Sequence, residues 1–265
     1  MTFASNTTKS STSNEQAIYI TMSYLKNLFY LFILSIIVNN SALAQSKDSL
    51  VSTVYYFESG QISSEGYLRS GKPDGYWKSY YTSGVLKTEG NRKNFLLDGV
   101  WKFYTEQGML YLTIDYKENL KDGERITYKG NKPYKIERFE ADIKSGLTEV
   151  YHLNGKIKSQ TPFVNGREKG LAYEYDTIGT VVSLLTYKAG VLVKNQEINR
   201  RDKNNLRKGI WMDFHQNREV KIEGLYVNDL KHGYWKYYKA DGNLIKIEKW
   251  VNGVLVENAD ELAKI

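Results

Sequence analysis

From residue 51 onward the chain consists of short runs in which aromatic and aliphatic residues are interleaved with lysine, serine and threonine, each run closed by a glycine-bearing turn. DGYWKSYYTSG at 74–84 is one such run, and HGYWKYYKADG at 232–242 restates it near the other end. Rings and β-branched side chains suit a pleated strand. The intervening SG, QG, NG and DG pairs tolerate the positive φ of tight turns. The pattern therefore predicts β-hairpins, with a helix-like stretch only at 258–265, NADELAKI.

The runs fall on a fixed frame. Gly75, Gly99, Gly123, Gly146, Gly170, Gly209 and Gly233 follow one another at intervals of 24, 24, 23, 24, 39 and 24 residues. With each lead glycine as position 0, position +5 holds Tyr80, Tyr104, Tyr128, Tyr151, Tyr175, Phe214 and Tyr238. Position +2 holds Trp77, Trp101, Trp211 and Trp235 in four copies. A second glycine at +9 recurs as Gly84, Gly108, Gly155, Gly179 and Gly242, while Gly130 comes early and Asn217 stands in for it in the sixth copy. A leading copy starts at Val51, and Trp250, Asn252 and Gly253 open a trailing half-copy. The 39-residue interval is expected to hide a degenerate, partly deleted copy near 194–209, with Lys194 in the lead place and a charged loop on one face.

One hairpin cannot bury enough apolar surface to stand alone, so neighbouring hairpins must supply each other's core. The expected fold is all-β: an elongated array of about eight antiparallel hairpins forming a twisted open sheet over residues 45–257. The lead glycine either lets a neighbouring ring lie over the backbone or marks a bulge. The +5 aromatics are expected in the core between hairpins, with the lysines on the solvent face.

These residues resemble the MORN repeat in its variant form, best in VNDLKHGYWKYYKADG (227–242) and FVNGREKGLAYEYDTIG (163–179), with the likeness running over about 51–257. The resemblance implies scaffolds for protein assembly, in some members contact with lipid headgroups, and in many bacterial members the label of an antitoxin component.

The N-terminus changes the compartment. After Lys26, LFYLFILSIIV (28–38) is too short to span a bilayer comfortably, and Ala42-Leu43-Ala44 precedes Gln45 as a small-x-small cleavage site. Residues 22–44 thus read as a cleavable signal peptide beginning at Met22, residues 1–21 as a mis-started or disordered extension, and 258–265 as a C-terminal tail. Export to the periplasm, outer surface or medium follows, with no stable transmembrane segment after cleavage. The absence of cysteine excludes disulfides, a lipid-anchor cysteine and thiolate metal sites. Without 1–44, 35 basic residues face 29 acidic ones, a net +6 with charges interspersed, which speaks against a nucleic-acid partner.

Candidate chemistry is sparse. His152 and His215 at +6 and His232 at −1 read as exposed turn residues without ligand spacing, so no catalytic, cofactor or metal site is assigned. Trp77-Lys78, Trp101-Lys102 and Trp235-Lys236 form a candidate ladder for a sugar or lipid phosphate, although strand parity favours rings in the core and lysines in solvent. The leading reading is a non-catalytic exported scaffold that binds another protein and needs no cofactor. The alternative is a carbohydrate- or lipid-headgroup-binding module, and an antitoxin or immunity role is third.

Overall fold

The computed structural model describes residues 49–259, together with Lys26. The extension, the signal peptide and residues 260–265 otherwise lie outside the described residues. Within them the chain is an antiparallel meander in which sequence neighbours are sheet neighbours. One sheet runs from Val51–Tyr56 to Val191–Glu197, and a second from Arg200–Arg201 to Val254–Ala259. The array is open, as expected, but it divides into two sheets. Asn258 and Ala259, read as the start of a helix-like tail, instead pair with Glu248 and Ile247 in the last strand.

Two connections alternate. The tight one has two residues with positive φ, as at Asn94 (51°) and Phe95 (71°), which matches the right-handed twist of the strands it joins. The longer one is the Tyr81–Val85 loop, closed by Tyr81 N donating to Val85 O at 2.8 Å and Gly84 N to Tyr81 O at 2.9 Å. In the sixth copy the residue in the left-handed conformation is Arg218 (φ 70°), not Asn217, whose Nδ2 instead donates to Ala240 O of the next copy at 2.6 Å. The third copy uses a two-residue turn at Gly130 and Asn131, which accounts for its 23-residue interval.

The two roles foreseen for the lead glycine belong to two different glycines. Gly99 has φ 74° and open space where a Cβ would stand. It lies in a bulge, where the pairing jumps from Asn91–Asp98 to Glu89–Lys102. The ring lies instead over Gly90 of the preceding strand, where an added Cβ would fall under 3 Å from the indole of Trp101. Trp77 covers Gly66 and Trp235 covers Gly224 in the same way. Trp101 and Trp235 are buried as a result.

Where the tryptophan is missing, so is the glycine. Arg125 occupies position +2 of the third copy opposite Ile114, and its Nη1 donates to Glu137 Oε2 at 2.6 Å. Lys135 and Lys144 each reach Glu137 Oε1 at 2.9 Å. Burial pushes the Glu137 carboxyl up, but hydrogen bonds from Lys135, Lys144 and Arg125 outweigh it and hold it at about 2. The middle of the array is thus held by a buried ion cluster where its ends use a ring on a bare backbone.

Two outcomes follow for stability. Gly90→Ala should cost about 3 kcal/mol because the indole must move, and Gly99→Ala only about 1 kcal/mol, the cost of a left-handed alanine. Equal losses in urea melts would show that the indole is not fixed on Gly90. Glu137→Gln should cost about 1–3 kcal/mol at neutral pH, below a fully buried pair because Arg125 and Lys135 are about a third exposed. A carboxyl depressed in the folded state stabilises above its unfolded value near 4.5 and loses that contribution as pH falls toward 2. The gap between wild type and variant should therefore close over that interval, and a gap independent of pH would refute the ion cluster's role.

Candidate functional site

Three surfaces are available: two sheet faces and the junction between the sheets. On one face, +5 tyrosines and +3 lysines converge on a carboxylate of the preceding copy. Tyr104 Oη donates to Glu89 Oε1 at 2.7 Å, and Lys102 Nζ reaches the same oxygen at 3.3 Å. Tyr80 and Lys78 do the same on Glu65, as do Tyr238 and Lys236 on Glu223. Burial, and then the bond to the carboxylate, push the Tyr80 and Tyr238 phenols up to about 12, so they remain donors at any physiological pH. In the middle copies Tyr175 donates to Gln160 Oε1 at 2.9 Å, and Tyr128 lies 3.4 Å from Thr113 Oγ1. Tyr151 donates within its own copy to Glu149 Oε2 at 3.3 Å. Phe214, which has no hydroxyl, packs edge-on against Tyr173, their ring centroids 6.2 Å apart.

The repeat tyrosines therefore share the lysines' face and not the tryptophans', contrary to the expected division into ring core and lysine exterior. The candidate ladder is split across the sheet. Lys78, Lys102 and Lys236 stand on one face, while Trp77, Trp101 and Trp235 pack on the other. Trp101 Nε1 donates to Asn91 O at 2.9 Å, and Lys231 Nζ lies 4.5 Å from the Trp235 ring centroid. All seven lead glycines, Gly75, Gly99, Gly123, Gly146, Gly170, Gly209 and Gly233, have positive φ.

Two of the histidines join copies together. Nε2 of His152 donates to Tyr175 O at 3.0 Å and that of His215 to Tyr238 O at 2.9 Å, the bond that Tyr81 Oη makes to Tyr104 O. They are half-buried connectors, not the exposed turn residues expected of them.

The junction departs most from the frame. The 194–209 stretch is strand and loop, not a charged loop alone. Val191–Glu197 pairs with Val181–Lys188, and Arg200–Arg201 then pairs with Arg207 and Lys208 of the second sheet. Between them Ile198 is fully buried, and Asn199 takes φ 54°. Its backbone N donates to Ile210 O at 2.9 Å. Its side chain holds both sheets: Nδ2 donates to Val181 O at 2.9 Å and Met212 O at 2.8 Å, and Oδ1 accepts from Met212 N at 2.7 Å. Beside it opens a cleft of about 420 Å³ lined by Asp176, Ile178, Asn199, Arg200, Arg201 and Trp211. The Arg201 guanidinium lies 5.5 Å from the Trp211 ring, and Arg207 is held by Asp229 at 2.5 Å.

The charge is not evenly interspersed. Residues 194–209 carry six basic and two acidic side chains, a net +4, against 29 basic and 27 acidic in the rest of 45–265. The 39-residue interval marked the place, and counting charge inside it would have marked the site. Among the described residues no helix is long and apolar enough to cross a membrane.

Comparison with known proteins agrees with this geometry. Residues 73–94, 97–118 and 144–165 each match the MORN repeat variant family. No curated protein matches the chain. MORN repeats are in general protein- or lipid-binding modules, and typically non-catalytic. Those three copies are thus MORN repeats of the variant form, and the hairpin array continues between and beyond them.

Proposed function

We propose that this chain is an exported, non-catalytic scaffold whose lysine- and tyrosine-bearing face binds another protein. One observation carries the reading. The +1 position, on the same face as the +3 lysines and +5 tyrosines, presents exposed apolar groups in copy after copy. These include Val100 (53 % exposed), Leu171 (43 %), Ile210 (41 %) and Tyr234 (58 %). Rows of apolar side chains set among polar ones are what protein partners cover. The lysines beside them already hold carboxylates of the array, so this face offers contact area more than free charge. Export rests on the apolar segment 28–38 and the Ala42-Leu43-Ala44 site before Gln45.

The test is capture from envelope extracts by wild type and by a Val100→Glu, Ile210→Glu variant, beside glycan and lipid arrays. Capture lost in the variant, with both arrays silent, is the expected result. Binding to a glycan or lipid array with equal capture by both proteins would replace the protein partner with that ligand. Mass spectrometry of protein from the native cell should give Gln45 as the first residue, and intact 22–44 in a soluble fraction would overturn export. At about 4.8 Å per strand, the two sheets laid in succession extend about 80 Å. Small-angle scattering should therefore give a longest dimension near that value, and not the roughly 35–40 Å of a compact globule of this size.

A further inference from the structure

In a regular copy the first strand is paired on both edges: Lys72–Tyr80 lies between Ile62–Arg69 and Leu86–Lys93. The copy at the junction breaks this rule. Its loop has the usual closure, with Asp202 N donating to Leu206 O at 2.9 Å and Asn205 N to Asp202 O at 3.0 Å. The chain then runs straight into Arg207–Phe214, the first strand of the next copy, so the strand that should follow the loop is missing. On the edge away from Val220–Val227, Arg207–Phe214 pairs with Arg200 and Arg201, and Asn199 then takes Ile210 O through its backbone N and Met212 through its side chain, where pairing would have continued. Val191–Glu197 is left with a ladder to Val181–Lys188 on one side and none on the other.

This inner edge is apolar and cationic together. Val191 is 63 % and Val193 50 % exposed, Lys194 projects from the strand, and Arg200 and Lys208 face each other where the sheets part. The outer edges differ. Val51–Tyr56 and Val254–Ala259 are also apolar and exposed, but they contain no basic residue. A free strand edge recognises an extended chain through main-chain hydrogen bonds, and the flanking side chains select its sequence. A local surplus of four positive charges selects acidic residues.

We propose that Val191–Glu197 accepts an extended acidic segment of a partner protein, about seven residues long, as an added strand in the place of the missing one. This site lies on an edge and is independent of the exposed row on the face.

The probe is a fluorescent ten-residue peptide of alternating valine and glutamate, titrated against the full chain. Two control peptides have lysine in place of glutamate or proline at two interior valines. The acidic peptide should bind and slow hydrogen exchange of the 191–197 amides at least tenfold at saturation. Lys194→Glu with Lys208→Glu, both exposed positions, should weaken it at least tenfold, as should a rise in salt from 50 to 300 mM. Val100→Glu should leave it unchanged. Equal binding of the proline peptide would mean attraction of charge alone and would overturn the added strand. Absent binding, or binding without protection of 191–197, would also overturn it and leave Lys194 as a guard against edge-to-edge pairing.

Discussion

A β-hairpin in water leaves a row of backbone N–H and C=O groups unpaired on each outer edge, and this architecture depends on passing that row to the next hairpin. The tight turns are tied in sequence along one side: Asn119 N donates to Leu97 O and Gly253 N to Lys231 O, each to the copy before. The longer loops are tied along the other side by Tyr81, His152 and His215. Each copy is therefore completed by its neighbours at the strands, the turns and the loops. Few side chains need to be fully buried for this to hold, and few are.

Side-chain packing then varies within that frame. At the two ends an indole lies on a bare glycine, an arrangement that a Cβ on the facing strand would prevent. In the middle, Arg125, Lys135 and Lys144 surround Glu137 instead. The two solutions differ in what they tolerate: the first depends on shape alone, the second on pH and ionic strength. On the opposite face the Tyr–Glu–Lys clusters supply cross-copy bonds at the surface, where their lysines remain nearly half exposed.

Hairpins, frame and open array were legible because glycine at positive φ and rings on strands leave marks at fixed intervals. The faces were legible in principle and misjudged: +2 and +5 differ by an odd number, so Trp101 and Tyr104 point to opposite sides of the sheet. The partner of Trp101 was harder to see. Gly66, Gly90 and Gly224 each stand nine residues before a lead glycine, but in three copies only, and it is the register between strands that brings each under its tryptophan. The junction was visible as an interruption and as a basic stretch, but not as a joint between two sheets. Nothing in NQEINRRDKNN distinguishes Asn199 from its neighbouring asparagines until pairing places its amide against Met212 and Val181.

The single asparagine between the sheets also bears on how the chain comes apart. In an array coupled only through nearest neighbours, cooperativity extends as far as the weakest coupling. Elsewhere a strand ladder, broken by a bulge, joins one copy to the next. Here the Asn199 amide, bonded to Val181 O of one sheet and Met212 of the other, and the contacts of Phe214 and Arg218 with the Tyr173 ring do so. Pulled from its ends, such a chain parts first at Asn199, leaving two sheets that can each keep their own fold. The joint that orients them is also the fuse that protects them.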